Sequence, residues 1–537
     1  MRRAAVLYSP AVERSAVSTL AGGLMAAGST ASGWGEPMLE RSHGTLPLLA
    51  FALLLLCCLA VPANCDDFSD GLAAFNKGDL EAAIDKFEVA VVTKADDPVP
   101  LAWLGLAQLR AGLWEEAVGT LRKTIELDPK MPEAHHNLAN AYWELGKTKE
   151  AIEHYQEAIL LQPHYVPPHY NLGTVYLALG ELDQALGEFL VSVELDPKNT
   201  HAYNNLGVCH ERAGRLAEAI EAYGKAVALD PGNESFRLNL ALALRAAGRA
   251  EEAAQELARL ASANSKDPAV YLNLGTIRFE RGEYKPAAEA FRRAISVDAS
   301  SATAYYNLGL CARQLDQRKD AREAFQKAVE INPGLVNAQI NLGALELDEG
   351  NAASAAARFS AALKADPNSY RAAFDLGLAY VKLGKDEDAL GVWSALAQTN
   401  PQDAAVREAL ASTYFRLRRY DEAKREYLAL VGLRPNDAAA NNNLGIICEE
   451  FGQFDEAIAA YRAALAVDPK YARAHNNLGV LYDRQGKLDE ARAEYRAALV
   501  CDPNLADARR NLERLGGDPR LGGNPRLGGD PRLGAVE

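Results

Sequence analysis

The feature that most constrains this chain is a period of 34 residues. Residues 472–505 carry Leu478, Gly479, Tyr482, Gly486, Ala491, Tyr495, Ala498 and the pair Asp502-Pro503. Shifting back by 34 positions returns Leu444, Gly445, Gly452, Ala457, Tyr461, Ala464 and Pro469. Thirteen such copies start at Asn64, Pro98, Pro132, Val166, Thr200, Glu234, Pro268, Ala302, Val336, Tyr370, Ala404, Ala438 and Ala472, with no insertion across residues 64–505. A fixed period of this length means stacked copies of one supersecondary unit instead of a single globular core.

The residues inside a copy say what that unit is. With the Asp-Pro proline at position 32, leucine falls at position 7, Gly or Ala at 8, Gly often at 15, Ala at 20, an aromatic at 24 and Ala at 27. Apolar residues recur at helical spacing over positions 2–14 and 18–30 and are split by a glycine or charged turn, so each copy reads as a helical hairpin. Small residues at 8, 20 and 27 allow close helix approach, and proline at 32 stops the second helix by pushing the residue before it out of the α region. The first copy is degenerate and keeps the phase through Gly71, Gly78, Ala83, Phe87 and Ala90.

This pattern resembles the tetratricopeptide repeat. The resemblance implies an all-α fold, a right-handed α-solenoid superhelix of about thirteen hairpins over residues 64–505, closed by a capping helix over 506–515. Asp507, Arg509, Arg510, Glu513 and Arg514 give that helix the polar outer face a terminal cap needs. The resemblance also implies that the first helices line a concave groove, with positions 2, 6, 9 and 13 facing it.

Position 6 is Asn137, Asn171, Asn205, Asn239, Asn273, Asn307 and Asn341 in consecutive copies; Asp375 and Ala409 interrupt, and Asn443, Asn477 and Asn511 resume. Asparagine is a mediocre helix former, and its side chain offers both donor and acceptor to a peptide group. The column is similar to the asparagine ladder in the repeat region of the O-linked N-acetylglucosamine transferases, which implies a grip on extended protein segments. One hydrogen bond nets about 1 kcal/mol, so several rungs must act with apolar contacts such as Leu242, Leu310, Leu378 and Ile446 at position 9. The large catalytic region that follows the transferase ladder is absent from this sequence. The family's carboxylate clamp, which needs neighbouring Lys and Arg, is not matched by scattered Arg212, Arg371, Lys382, Arg416, Arg473 and Arg484.

The expected activity is therefore binding. The partner is a protein or peptide, and the chain serves as a non-catalytic scaffold for an envelope or secretory complex. The alternative is an accessory subunit that presents substrates to a separately encoded enzyme such as a glycosyltransferase. A balance of 57 basic against 72 acidic residues, net charge −15, argues against a nucleic-acid groove. No phosphate loop, nucleophile elbow or cofactor motif is present. Five of the nine histidines fall between His135 and His169 without metal-ligand spacing, so no metal site is expected. Cys209, Cys311, Cys448 and Cys501 read as small buried hydrophobes.

The ends carry different signals. Residues 1–45 form an aperiodic Ala/Gly/Ser-rich leader or a misassigned start, with Met38 opening a more conventional signal. Residues 46–63 hold the apolar run LPLLAFALLLLCCLAV and small residues Val61 and Ala63, the pattern of a secretory signal cleaved before Asn64. Export follows; the alternative is an uncleaved anchor, with lipidation of Cys65 as a further route to the membrane. Residues 516–537 continue an RLGGDP-type hexapeptide array, too rich in Gly and Pro for a helix or core.

Overall fold

The structure, a computed structural model, describes residues 66–516. The leader, the apolar run, Cys65 and nearly all of the hexapeptide array lie outside the described residues. Among those described there are 27 helices and no strand. No described helix is long and apolar enough to cross a membrane.

The helices alternate as A and B partners of successive copies. One compact unit runs to residue 299 and the other starts at residue 300. The first unit holds α1 (Asp66–Lys77) and α2 (Leu80–Thr93), α3 (Pro98–Arg110) and α4 (Trp114–Leu127), α5 (Pro132–Glu144) and α6 (Thr148–Leu161), and α7 (Val166–Leu179) and α8 (Leu182–Leu195). The same alternation continues through α9–α14 to Val297. The second unit holds α15 (Ala302–Gln314) through α20 (Asp386–Thr399), then α21 (Ala404–Arg416) and α22 (Tyr420–Leu433), α23 (Ala438–Glu450) and α24 (Phe454–Val467), α25 (Ala472–Arg484) and α26 (Leu488–Cys501), and the short α27 (Ala506–Arg514). Within each unit every helix packs on the next, and the contacts that skip a helix join A helices, as in α3 with α5 and α5 with α7. The A helices thus line the inner side of each stack. This is an α-solenoid of helical hairpins.

Both helices begin one residue earlier than the apolar periodicity suggests, at positions 1 and 17. The cause at the A helix is its cap. Position 34 supplies Asp97, Asn199, Asn233, Asp267, Ser301, Ser369, Asp403 and Asp437, whose side chains accept from backbone N–H groups of the first turn. Proline at position 1 (Pro98, Pro132, Pro268) fits because the first helical residue has no intrahelical partner for its N–H. At the other end, Asp at position 31 leaves the helix in an extended conformation and folds its carboxylate onto the N–H two residues on, as in Asp128 to Lys130 at 2.9 Å.

The core of a copy is a small-residue seam closed by one large side chain. Ala151 and Ala158 at positions 20 and 27 are fully buried, and the ring at position 24 fills the space they leave. Glycine at position 8 lies directly against that ring. A Cβ on Gly207 would fall 2.5 Å from the Tyr223 ring, and one on Gly377 would fall 2.3 Å from the Trp393 indole. Position 15 turns the chain from A to B with positive φ, normally on glycine; Asp316 and Arg418 adopt the same conformation at 57° and 56°. A left-handed residue other than glycine carries strain of about 1–2 kcal/mol.

Candidate functional site

Two recurring side-chain systems occupy the A helices. The first starts at position 4. Its side chain reaches back to the carbonyl of the proline that ends the preceding copy, six residues earlier. His135 meets Pro129 at 3.2 Å, His169 meets Pro163 at 3.0 Å, and Arg237 donates to Pro231 at 2.9 Å. Gln339, Arg407, Asn441 and His475 repeat the contact with Pro333, Pro401, Pro435 and Pro469. The same side chain also meets position 23 of its own B helix, as in His169–Glu188 at 2.7 Å, Arg237–Glu256 at 2.5 Å, Arg407–Glu426 at 2.6 Å and His475–Glu494 at 2.6 Å. In the first copy the charges are exchanged, with Asp67 at position 4 and Lys86 at position 23, 2.7 Å apart. One side chain thus ties three segments together.

The second system is the position-6 column. Asn205, Asn239, Asn273, Asn307 and Asn341 are buried, between 0% and 8% exposed, so these five do not face an open groove as expected. They are engaged within the stack. Asn239 donates to Asn204 Oδ1 at 2.9 Å, and Asn205 and Asn341 donate to the hydroxyls of Tyr170 and Tyr306 at 3.4 Å. In each case the acceptor is position 5 of the preceding copy. Asn273 and Asn341 also accept from Arg245 and Arg313, at 3.0 and 2.5 Å. The physical reason is that neighbouring A helices approach closely enough for the carboxamides to bridge them.

The remaining rungs are half-buried: Asn137, Asn171, Asn443 and Asn477. Asn171 donates to Asn140 Oδ1 at 2.8 Å, Asn443 to the Tyr427 hydroxyl at 3.3 Å, and Asn477 to Asn442 Oδ1 at 3.1 Å. Asn511 of α27 continues the column by donating to Asn476 at 3.1 Å. At the interruption, Asp375 lies 3.7 Å from Arg371. Of the apolar candidates at position 9, Leu310 is fully buried and offers no pocket wall, whereas Leu242, Leu378 and Ile446 are half-buried. Ile446 forms a shallow depression with Phe415, Tyr427 and Asn443.

Near the N-terminal end lies an imidazole-rich patch. His136 is buried against the rings of Tyr155 and Tyr165, with Asn140 3.1 Å from its Nε2. Burial pushes its pKa down to about 4. Among the described residues no group of three or more His, Cys, Asp and Glu side chains is placed to hold a metal ion. Cys209, Cys311 and Cys448 are buried thiols outside any disulfide; burial raises Cys209 to about 12 despite Arg212 and Arg215.

Helical hairpins of constant length, locked copy to copy by A-helix side chains, define a helical-repeat scaffold. Residues 340–404, 408–462 and 449–506 match the tetratricopeptide repeat model. The chain is a tetratricopeptide repeat protein. Residues 126–332 match the model of the cilia and flagella-associated protein 70 C-terminal domain, and residues 76–158 that of anaphase-promoting complex, cyclosome, subunit 3. Comparison with curated proteins returns no match. Similar solved structures include MamA, 28% identical over 31% of this chain and 90% of its own, with a TM-score of 0.29. Another is YrrB, a TPR protein with an unusual peptide-binding site, 24% identical over 35% of this chain and 96% of its own, TM-score 0.32. A third is the thermophilic TPR protein TTC0263 of Thermus thermophilus, 27% identical over 33% and 97%, TM-score 0.29.

Proposed function

We propose that this chain is a non-catalytic scaffold that holds extended segments of a partner protein along the inner, A-helix side of its stacks. The observation that carries this reading is the division of labour along one helical stripe. Buried carboxamides keep successive A helices in register, while Leu242, Leu378, Ile446 and the half-buried Asn137, Asn171, Asn443 and Asn477 remain within reach of a ligand. The accessible rungs have polar capacity for backbone, and the position-9 side chains have apolar area for alternate side chains.

Photo-crosslinking tests the reading and works with an unidentified partner. A photoreactive residue at Leu378 or Ile446 is expected to trap a protein in the native host. The same residue at Leu190 or Leu428, 53% and 51% exposed on B helices, is expected to trap none. Crosslinks confined to the B-helix positions would refute binding on the inner side.

We further propose that the scaffold acts after export, in assembly of an envelope or secretory complex. The apolar run of residues 46–61, with Val61 and Ala63 as the small residues before the cut, supports this. N-terminal sequencing of protein from its host is expected to begin at Asn64, or to find Cys65 lipidated; a cytoplasmic product retaining residues 46–63 removes the proposal.

A further inference from the structure

The link from position 4 to position 23 joins a basic side chain to a carboxylate in five copies: Asp67–Lys86, His169–Glu188, Arg237–Glu256, Arg407–Glu426 and His475–Glu494. In the copy starting at Pro132 two imidazoles face each other instead, His135 Nδ1 and His154 Nδ1 at 3.1 Å. The proton positions follow from the surroundings. The Pro129 carbonyl can only accept, so the His135 ring nitrogen beside it, Nε2, carries the hydrogen. The Nδ1 of neutral His135 is then a lone pair, and His154 Nδ1–H must donate to it. One proton on His154 Nε2 leaves that bond in place, whereas protonating both rings sets N–H against N–H and positive charge against positive charge, and the contact is lost.

We propose that the His135–His154 pair makes the hairpin of α5 and α6 an acid-opened joint, at a place where five other copies set a basic side chain against a carboxylate. The titrating side chain is accessible, since His154 is half-buried, and one face stacks on Tyr142 at 5.6 Å. The charges that face it are His135 on α5, Arg122 on α4, and Glu153 and Glu157 on α6 itself. Burial, His135 and Arg122 disfavour its charged form and the two glutamates favour it; the balance is a lowered pKa. Lys147 lies over the Tyr142 ring, 5.7 Å from its centre. On the other side of the copy, α7 directs its own titratable group, His169, at Glu188 of α8.

The two neighbouring hairpins therefore respond to acid with opposite sign. A histidine with a lowered folded pKa contributes stability above its unfolded value of 6.5 and loses it as pH falls below that value. His169 is depressed by burial, but the Glu188 and Pro163 contacts outweigh this and raise it. Its contribution is complete below 6.5 and is lost as pH rises through the raised value.

Hydrogen exchange of the full chain at about pH 7.5 and about pH 5, corrected for intrinsic rates, tests the joint. Relative to His154→Gln, the wild-type chain is expected to show about tenfold more acid-induced opening in α5 and α6. Both chains keep His136, so its contribution cancels. His154→Glu, which installs the pairing found at His169–Glu188, is expected to give better protection at the lower pH. Equal pH responses of wild type and His154→Gln, or acid-induced opening undiminished in His154→Glu, would overturn the proposal.

Discussion

Gly377→Ala is expected to destabilise its hairpin by roughly 3 kcal/mol, at the upper end of what overpacking a core costs. The new methyl would stand 2.3 Å from Cε2 and Nε1 of Trp393, which is 1% exposed. The indole has no easy retreat, because its Nε1–H donates to the Phe374 carbonyl at 3.2 Å. Gly391 is on the partner helix α20, yet an added Cβ there meets nothing within 4 Å. Gly391→Ala should accordingly stabilise the same hairpin by about 1 kcal/mol through helix propensity. Local hydrogen exchange of α19 (Tyr370–Lys382) and α20 reads both. Equal effects of the two substitutions would show that backbone freedom, not ring contact, sets the need for glycine at position 8.

The second large effect is acid loss of stability at His136. Its folded pKa is about 4 and its unfolded value 6.5. Unfolded chain therefore binds the proton first, so stability is complete above 6.5 and falls as pH drops towards 4. The loss reaches about 3 kcal/mol at pH 4, from 1.36 kcal/mol per pKa unit. His136→Tyr should flatten this dependence, since Tyr170 and Tyr306 occupy the same position in other copies. Repeat arrays unfold in parts, so the measurement is the local opening free energy of α5 by hydrogen exchange at both pH values. The expected outcome is a wild-type curve steeper than the variant curve between pH 6.5 and 4; parallel curves would mean that the buried imidazole is not the cause.

Most of the fold is legible in the sequence because its determinants are local. Leu138, Ala151, Tyr155 and Ala158 recur in phase, and the Asp-Pro stop and the Gly turn bound each helix without reference to anything distant. The helix starts differ by one residue because an apolar stripe marks the buried face, whereas a cap such as Asn199 or Asp267 fixes the first hydrogen bond. The ladder is where sequence reasoning stops short. Spacing of 4, 3 and 4 identifies a face of the helix but not its depth. What buries Asn239 is Asn204, a residue 35 positions away on the neighbouring copy. The position-4 links carry a signal that periodicity within a copy does not use. Paired changes at a separation of 19 residues, Asp67 with Lys86 against Arg237 with Glu256, mark two side chains that answer each other.

The bond from position 6 to position 5 of the copy before it also governs which changes of copy number the array can absorb. Loss of a whole 34-residue copy creates one new junction, and its quality depends on a single pair of side chains. Removing residues 234–267 would set Asn273 opposite Asn204, the acceptor that Asn239 uses now. Removing residues 404–471, two copies, would set Asn477 opposite Phe374, a ring with no acceptor, in place of Asn442. Slippage between copies therefore meets a compatible seam at the first place and a mismatched one at the second. The array has preferred joints for growing and shortening, written in the side chain at position 5.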